Sequence, residues 1–509
     1  MKKLLLLVGM ATINVMSIYA VYRLGTAVYT NLLVTNWASS VVVIIFFLAE
    51  IYIIINGIIY FYNVLWTSEY QRIFVKFGKR IPEVTVFLPM RNEPLEVITK
   101  TFRACSYLDY PKMKIVVVDS SDIDGHFKKV KKLAESFGIT YFQTPYPRHG
   151  AKAGAMNEAL KVFKTPYFVV FDADYRPSRD FLKLVVPIID DDPELAFVQT
   201  PQFYGNHSES VVSRISQIQQ SIFYEYISES KSIHNAMFMC GTNLIVRRKA
   251  LDSIGGWDET VITEDFMTSM NLMIKGWKSY YYNFATAFGD GPINLTQFFK
   301  QQYRWSKGTF DSFRKNFFKL INPFSELKWM QKVEYTLSGI YFFVGFIWLI
   351  MIFMPILYLF FGIPGYKTDP LLFTVVYFPY FLLSFLFFLG SLRYRNYKIS
   401  DMFKAQSLTF LTLPSYTKAF IDSLFHIKSE FVTVKKSGDV YEVPWKGMKF
   451  QVLLIILNIT ATFYGLYQLP QAIETRYAIM SNIFWTTFHT FVLLYFIISL
   501  YVEKYKKAY

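Results

Sequence analysis

Two acidic residues separated by one small residue follow a short apolar run about a third of the way along the 509-residue chain. The run Phe168–Phe171 has the composition of a buried strand, and Asp172 and Asp174 come directly after it, flanking Ala173. Carboxylates at the end of a strand can hold a divalent cation against a diphosphate, because such cations prefer oxygen ligands. Acid pairs of this kind also occur in ordinary turns and helix caps, so the pair alone leaves both interpretations open.

A third acid and a lysine-bearing turn lie upstream of this pair. Asp119 ends the apolar run Ile115–Val118, and Lys152 lies in the glycine-bearing turn His149–Gly154, where a helix is expected to begin. Backbone N–H groups and a positive charge at a helix start suit phosphate oxygens. An ordinary loop-to-helix turn would have the same composition.

A further acid pair opens an apolar-periodic stretch downstream. Glu264 and Asp265 follow Thr263 and precede apolar residues at helical spacing. In the structural interpretation Thr263 caps a helix and the two acids complement its dipole. In the functional one the same helix start holds Asp265 rigidly for chemistry. The two interpretations are compatible.

The last group of chemically capable side chains is Gln301, Arg304 and Trp305. They lie within 295–320, where five aromatic residues recur at near-helical spacing among basic ones: Phe299, Tyr303, Phe310, Phe313 and Phe317. That pattern predicts a helix lying in the headgroup plane, in which Arg304 and Trp305 could simply be interface residues. The stretch 419–427 shows a similar apolar face.

The elements that must position these residues alternate in type between residues 82 and 290. Short apolar runs are separated by helical patterns; the runs are Val84–Leu88, Ile115–Val118, Phe168–Phe171 and Ala196–Gln199. This alternation predicts an α/β domain with a mostly parallel sheet, whose ligands bind at the carboxyl ends of the strands.

The composition indicates membrane helices in addition to this domain. Hydrophobic residues make up 53% of the 509 residues and charged residues 18%, against roughly 25% charged in soluble domains. Six stretches reach the roughly 20 residues that a span requires. They are 4–22, 41–66, 335–366, 370–392, 450–473 and 481–502. The first is expected to be a retained helix, because Ile18 stands where a cleavage site would need a small residue.

Basic residues predict the orientation of these spans. The net charge is +15, and Lys and Arg favour the cytoplasmic side. They concentrate in Lys2, Lys3, 67–334, 393–449 and 504–507, whereas the opposite loops are expected to hold Arg23, Lys367 and Arg476. We therefore expect a multi-pass protein of the cell membrane with both termini and the central domain in the cytoplasm.

Other features exclude several classes of protein. Cys105 and Cys240 are the only cysteines, and the six histidines are scattered, so neither a disulfide framework nor a zinc cluster is expected. Basic-aromatic modules of the usual kinds are missing, so nucleic acid is not an expected partner. Glu50 interrupts the second span; an acid in lipid is a functional candidate, or it faces a neighbouring helix.

In order and spacing these motifs resemble those of the processive family 2 glycosyltransferases, the superfamily of cellulose synthase, chitin synthase and hyaluronan synthase. The resemblance covers most of the chain, from a first strand that leads into Glu93 to the Gln-x-x-Arg-Trp motif. It implies a GT-A-type catalytic domain inserted in a six-helix membrane region. The implied segments are 1–66 with two spans, 67–294 catalytic, 295–334 with interface helices, 335–392 with two spans, 393–449 with an interface helix and a gating loop, and 450–509 with two spans.

The resemblance also implies which residues bind the nucleotide-sugar donor. By this resemblance the donor would be a UDP-sugar, with a GDP-sugar as the alternative. A divalent cation, Mn²⁺ or Mg²⁺, would bind with it. Asp174, together with Asp172, would bind the ion. The donor-binding residues would be Asp119, Glu93, Lys152, Asp172, Gln301, Arg304 and Thr433.

On the acceptor side the resemblance implies a base and a stacking platform. Asp265, beside Glu264, would remove the proton of the acceptor hydroxyl, and Trp305 would stack on the acceptor sugar. Cys240 and Gly241 would belong to the floor of the acceptor site, although Cys240 could also be an ordinary buried residue.

Thr433 depends on a partial match. Val432–Lys435 resembles the gating loop of cellulose synthases, but Glu430 stands where that loop has an aromatic residue. A plain cytoplasmic loop is the alternative. The chain given ends at Tyr509, shortly after the last span, so we expect regulation by a cyclic dinucleotide to need another subunit.

Three functions are compatible with these motifs. The first is a synthase that elongates a β-linked polysaccharide and secretes it through its own channel, with nucleotide-sugar, polymer and membrane lipids as partners and accessory subunits possible. The second is a single transfer of sugar to a membrane lipid, such as a polyprenyl phosphate or a diacylglycerol. The third, a transporter or scaffold with a degenerate domain, conflicts with the presence of every catalytic acid. The sugar and its linkage do not follow from the sequence.

Overall fold

The computed structural model describes residues 2–33, 37–67, 72–78, 80–365, 368–394, 396–427 and 438–508. The chain begins with two long apolar helices, α1 (Lys2–Leu33) and α2 (Trp37–Trp66). Because α1 continues well past residue 22, the prediction that Arg23 lies in a loop is wrong.

The side chain of Arg23 is instead buried between the two helices, where it forms an ion pair with Glu50. Arg23 Nε donates to Glu50 Oε2 at 2.7 Å, and the Tyr19 hydroxyl donates to the other carboxylate oxygen at 3.1 Å. Glu50 therefore faces a neighbouring helix, which is one of the two interpretations of its sequence position. Pairing offsets much of the cost of removing both charges from water.

The central region, residues 84–289, is a sheet covered by helices. Its strands are β1 (Val84–Met90), β2 (Met113–Asp119), β3 (Thr140–Gln143), β4 (Tyr167–Val170), β5 (Arg176–Pro177), β6 (Leu195–Gln199), β7 (Phe203–Tyr204), β8 (Leu244–Arg247), β9 (Lys278–Tyr281) and β10 (Ala287–Gly289). Its helices are α3 (Leu95–Ser106), α4 (His126–Ser136), α5 (Ala151–Val162), α6 (Phe181–Asp191), α7 (Val211–Ile222), α8 (Ser228–Ile233), α9 (Arg248–Asp252) and α10 (Glu264–Ile274), and a π-helical turn, Phe223–Ile227, joins α7 to α8.

Seven strands form the main sheet in the order β3-β2-β1-β4-β8-β6-β9. Every neighbouring pair is parallel except the two that involve β8, which runs antiparallel to β4 and β6. The predicted mostly parallel sheet is thus confirmed. A smaller sheet has the order β5-β10-β7.

Helices cover both faces of the main sheet. Every residue of β1 is buried; Val86 and Leu88 pack with Phe102 of α3, whereas Phe87 packs with Met156 of α5. Burial on both faces explains why the strands read as continuous apolar runs rather than as alternating patterns.

The C-terminal region consists of helices throughout the part of it that the structure describes. They are α11 (Leu295–Ile321), α12 (Trp329–Ile340), a 3₁₀ turn (Tyr341–Phe343), α13 (Val344–Phe361), α14 (Pro370–Tyr394), α15 (Ile399–Leu424), α16 (Lys449–Gln468) and α17 (Arg476–Ala508). Six spans of the described chain are long and apolar enough to cross a membrane, which confirms the predicted number; they are Leu7–Asn31, Ser39–Trp66, Trp329–Phe361, Leu371–Ser391, Lys449–Gln468 and Arg476–Lys506.

Helices α11 and α15 differ from the interface helices expected. The helix predicted at 295–320 is present as α11, but part of its apolar face packs on protein: Phe310 is buried, and its ring meets that of Phe420 of α15 at 5.4 Å. The stretch 419–427 is not a short separate helix, since it contains the end of the 26-residue helix α15. The earlier part of α15 packs on other helices: Thr409 accepts a hydrogen bond from Gln219 of α7, and Ser407 donates one to the carbonyl oxygen of Val492 of α17.

Candidate active site

The carboxyl ends of the parallel strands β1, β2 and β4 meet at one edge of the sheet. Met90 pairs with Asp119 at the ends of β1 and β2, and β4 ends at Val170, two residues before Asp172. Acids that are 53 residues apart in the chain therefore lie at the same edge, where open α/β sheets bind ligands.

Lys152 joins this edge to the neighbouring loop. It is the second residue of α5, and its Nζ donates to Asp172 Oδ1 and, at 2.6 Å, to the carbonyl oxygen of Gly241. The Thr242 hydroxyl accepts a 3.0 Å hydrogen bond from the backbone N–H of Asp172. Burial disfavours the ammonium ion, but the carboxylates of Asp172 and Glu264 outweigh burial and raise the pKa of Lys152. Lys152 is therefore charged and held where a diphosphate could replace its present partners.

Asp265 lies directly across the loop from Lys152. A Cβ placed on Gly241, whose φ is +84°, would be 3.1 Å from Asp265 Oδ2 and 3.6 Å from Lys152 Nζ. Position 241 thus needs glycine both for its left-handed backbone and for this close approach. Lys152 and Asp265 therefore lie on either side of Gly241, and both are close to its backbone.

The environment of Asp265 makes its carboxyl a weaker acid than usual. Burial, with the Glu264 carboxylate adding to it, raises the pKa of Asp265 to about 7, against the opposing effect of the backbone N–H of Phe266, which donates to Oδ1 at 2.8 Å. Burial also raises the pKa of Glu264. A carboxyl with a pKa near neutrality is suited to proton transfer at physiological pH.

The expected cap at Thr263 is wrong, since no side-chain hydrogen bond caps α10. The Thr263 hydroxyl instead lies 3.2 Å from Ser312 Oγ of α11. The residue before the Glu264–Asp265 pair therefore fixes α11 against α10.

Helix α11 brings Gln301 and Arg304 of the Gln-x-x-Arg-Trp motif to the same region. Gln301, Arg304 and Trp305 are spaced three and four residues apart, so they share one face of the helix. The Tyr204 hydroxyl lies 3.5 Å from Gln301 Oε1. The positive charge of Arg304 lowers the pKa of Glu264, although burial has the larger and opposite effect. Trp305 is half-buried.

Glu93 and Asp119 lie at the start of the same edge but differ in environment. Burial, with the carboxylates of Asp174 and Asp172 adding to it, raises the pKa of Glu93 to about 7, against the opposing effect of hydrogen bonds from backbone N–H groups. Asp119 is fully buried and accepts hydrogen bonds from the Ser121 backbone at 2.8 Å and from the Tyr141 hydroxyl at 2.9 Å. Each of its carboxylate oxygens thus already accepts a hydrogen bond from within the protein.

The structure thus brings most of the predicted residues to one region. Direct contacts or electrostatic effects on the pKa connect Glu93, Lys152, Asp172, Asp174, Gly241, Glu264, Asp265 and Arg304. Cys240 belongs to it as well, because the carboxylate of Asp265 adds to the effect of burial in raising the pKa of its thiol. Thr433 lies outside the described residues.

The fit of a divalent cation depends on two carboxylates. Within the described ranges, no group of three or more His, Cys, Asp or Glu side chains is placed to hold a metal ion. Mg²⁺ is, however, often held by one or two carboxylates together with substrate phosphates. Asp172 and Asp174 supply such a pair, and both raise the pKa of the buried Tyr175 in addition to burial. The donors therefore fit a cation that a bound diphosphate helps to hold.

The contacts of two residues in this region were not expected from the sequence. Thr242 fixes the backbone of Asp172, and Tyr204 reaches Gln301. Thr242 is the last residue of the loop Phe238–Thr242, which the resemblance implies as the floor of the acceptor site, so its position was a usable signal. Tyr204 lies in a strand of two residues, and nothing in its local sequence distinguishes it.

Comparison with known proteins relates this region to a class of enzymes. Residues 167–389 match a family model described as Glycosyl transferase family group 2. This match agrees with the sheet and with the acids at its edge.

The chain is also similar to cellulose synthases. It is 27% identical over 465 residues to the UDP-forming cellulose synthase catalytic subunit of Pseudomonas fluorescens (strain SBW25), covering 87% of this chain and 60% of that protein. It is 26% identical over 493 residues to putative cellulose synthase 2 of Komagataeibacter xylinus, covering 94% and 31%. The chain thus spans 60% or less of the length of these relatives.

A solved structure supports the fold. A mannosyltransferase from Pyrobaculum calidifontis, in complex with GDP-mannose and Mn²⁺, superposes with a TM-score of 0.55 at 15% identity, covering 76% of this chain and all of that one. At this identity the likeness shows the GT-A-like fold alone.

Proposed function

We propose that this chain is a membrane-embedded, inverting glycosyltransferase that transfers a hexosyl group from a nucleotide-sugar to the growing end of a β-linked polysaccharide. The observation that carries the proposal is the approach of Asp265 to the Gly241–Lys152–Asp172 contact, beside the α11 face that bears Arg304. Inverting transfer needs a base on one side of the sugar carbon and stabilised negative charge on the other, and these residues provide both.

On the donor side, positive charge would receive the departing diphosphate. Lys152 is charged and lies among carboxylates that a diphosphate would displace or share through a cation. Arg304 adds a second cation, with Gln301 beside it on the same helix face. A divalent ion, Mn²⁺ or Mg²⁺, when bound by Asp174 and Asp172, supplies electrostatic stabilisation of the leaving group. UDP is the expected nucleotide, because similar cellulose synthase subunits are UDP-forming.

On the acceptor side, Asp265 would accept the proton of the attacking hydroxyl. Its pKa of about 7 leaves a large fraction ionised at neutral pH while keeping it basic enough to take a proton. Trp305 would offer a flat apolar face to the acceptor sugar, one that holds a ring without fixing its register along the polymer. Glu264 adds a negative charge that keeps Asp265 basic.

A cavity among the membrane helices supports secretion as part of the function. Helices α1, α2, α13, α14 and α17 enclose about 370 Å³. Aromatic rings make up much of its lining: Tyr19, Trp348, Tyr377, Tyr380 and Trp485. Rings of this kind suit the apolar faces of sugars, so we propose that the cavity is part of a path for the polymer. The bias of basic residues toward one side of the spans supports a cytoplasmic location for both termini and the catalytic domain.

The decisive test is product analysis with the full chain purified in lipid nanodiscs. It is incubated with UDP-glucose, UDP-N-acetylglucosamine, UDP-glucuronate or GDP-mannose and Mg²⁺ or Mn²⁺, and the products are sized. We expect a long, detergent-insoluble or secreted polymer from one UDP-sugar. Single-sugar lipids would support the alternative of a lipid acceptor, and no transfer from any donor would refute a glycosyltransferase function for the purified chain.

A further inference from the structure

Glu259, an acid outside the proposed active site, connects the segment that carries Lys152 to the helices that carry Asp265 and Arg304. Both carboxylate oxygens of Glu259 contact the segment that carries Lys152. Glu259 Oε2 lies 2.6 Å from His149 Nδ1, and Oε1 accepts a 2.7 Å hydrogen bond from Asn157 Nδ2. A Cβ on Gly150 would lie 2.3 Å from Oε2, so glycine permits this approach. Glu259 thus lies against the first turn of α5.

Asn157 of α5 both donates a hydrogen bond to the backbone of Trp257 and accepts one from it. Its Nδ2 donates to the carbonyl oxygen of Trp257 at 2.9 Å, and its Oδ1 accepts from the backbone N–H of Trp257 at 2.8 Å. Gly256, at φ +103°, leaves the necessary room, since a Cβ there would be 2.5 Å from Asn157 Oδ1. The α5 segment and the chain around residue 257 are therefore joined by paired, geometrically defined bonds.

The segment that carries Glu259 is in turn attached to both helices of the acceptor side. The backbone N–H of Asp258 donates to Thr268 Oγ1 of α10 at 2.9 Å, and Lys315 Nζ of α11 donates to the carbonyl oxygen of Thr260 at 2.6 Å. A displacement of Glu259 would therefore be transmitted to the helix start that holds Asp265.

The first turn of α5 needs such an external partner. The helix begins without a side-chain cap, after Gly150 in a left-handed conformation at φ +60°, and Ala151 itself has φ +48°. A non-glycine residue there is strained, and strain of this kind persists only where surrounding contacts impose it. Glu259 and His149 are the contacts at this point, three residues before Lys152.

We propose that Glu259 and His149 form a clamp that positions the Lys152 turn against the Asp265 helix and thereby sets the affinity for a nucleoside diphosphate. The inference rests on the proposed function, in which Lys152 meets the diphosphate. Glu259 and His149 are positioning residues in this scheme, because neither needs to touch the donor.

The charge of His149 makes the clamp sensitive to pH. The groups that face its ring are Glu259 at Nδ1 and Glu158 at Nε2, 3.2 Å away, with Lys161 bonded to Glu158 behind it. Glu259, and after it Glu158, raise the pKa of His149 above its usual value. A raised histidine pKa means that the ion pair is complete at low pH and is lost as pH rises through the folded-state pKa. Half of the ring is exposed, so solvent moderates the effect.

The experiment measures binding of UDP, or of GDP should the wild type prefer it, to the full chain in nanodiscs with Mg²⁺ from pH 6 to 9. We compare Glu259→Gln, His149→Gln and the double variant by calorimetry. Each single variant should weaken binding about three- to tenfold at pH 6, converge on the wild type toward pH 9, and raise KM for the donor while kcat stays within about twofold. The double variant should be no weaker than the worse single variant, because both changes break one contact.

Lys183→Gln is the control, since Lys183 of α6 forms an exposed ion pair with Asp109 and takes no part in the clamp; its nucleotide affinity should equal that of the wild type. Additive losses in the double variant, or a His149→Gln profile parallel to the wild-type profile, would overturn the clamp. If Glu259→Gln lowers the thermal stability of the chain, the pH profile of the surface variant His149→Gln decides alone. A wild type that binds neither UDP nor GDP would instead refute the proposed function.

Discussion

Gly308 of α11 lies directly against Thr263, the residue that precedes α10. A Cβ on Gly308 would approach Thr263 Cγ2 to 2.4 Å. One turn before Gly308 on the same helix stands Arg304, and two residues after Thr263 stands Asp265. The contact between Gly308 and Thr263 therefore sets the distance between Arg304, the proposed diphosphate ligand, and Asp265, the proposed base.

Gly308→Ala should separate α11 from α10 and reduce transfer at least tenfold. The added methyl group has no space, and overpacking of this kind costs about 1–3 kcal/mol of stability. Gly25→Ala is a matched control in another helix, where nothing lies within 4 Å of the new Cβ. Transfer rates and thermal unfolding midpoints measured on both variants check the prediction, and undiminished transfer by Gly308→Ala would show that this contact does not set the site.

Asp265→Asn should abolish transfer and leave nucleotide binding within about threefold of the wild type. The amide keeps the size of the carboxyl and cannot accept the acceptor proton. Radiolabelled transfer and UDP calorimetry measure the two quantities separately. Asp252→Asn, at a surface ion pair of α9 with Arg248, serves as control. Measurable turnover by Asp265→Asn would remove the assignment of Asp265 as base.

The rate at saturating donor should rise with pH through about 7. A base acts when it has lost its proton, and burial, with Glu264 adding to it, raises the pKa of Asp265 to about 7. The raised pKa of Asp265 has the opposite effect on the free energy of unfolding. The folded state binds the Asp265 proton more tightly than the unfolded state does, and the stability gained from this proton is lost as pH rises toward about 7. Because Glu93 has a pKa of about 7 as well, the profile is repeated in Glu93→Gln. A kcat step that disappears in that variant would assign the titration to Glu93 instead.

Asp174→Ala should lose the metal-dependent part of nucleotide binding. Titrating UDP with and without Mn²⁺ should show a large gain from the ion in the wild type and little in the variant, because one of two carboxylate donors is missing. Asp180→Ala is a control, since Asp180 is an exposed acid six residues along the same segment. An equal Mn²⁺ effect in Asp174→Ala would mean that the ion binds elsewhere.

Trp305→Ala should shorten the polymer while nucleotide affinity stays near that of the wild type. Loss of the aromatic face weakens the hold on the acceptor sugar, by about 1 kcal/mol or more. Trp305→Phe should retain intermediate product length, because a smaller ring still stacks. Products are compared by size-exclusion chromatography at equal donor consumption. Wild-type lengths from Trp305→Ala would show that acceptor stacking occurs at another residue.

The sequence alone predicted the number of membrane helices and the nature of the central sheet. Both depend on local properties: the length of an apolar stretch, and the alternation of short apolar runs with helical patterns. The ends of elements were predicted less well. Helix α1 continues past Arg23 because Glu50 of α2 neutralises that arginine, and the earlier part of α15 packs on α7 and α17.

The inventory of the site follows from residue types and from spacings of a few residues: acids after apolar strands, a lysine in a glycine turn, and an arginine and a tryptophan on one helix face. Packing is what brings Lys152 into contact with Asp172 and Gly241 and gives both oxygens of Asp119 protein partners. Packing also buries Asp265 beside Glu264, which raises its pKa to about 7. Distances between residues a hundred positions apart and the removal of water from a carboxylate are properties of the packed chain, and no local pattern encodes them.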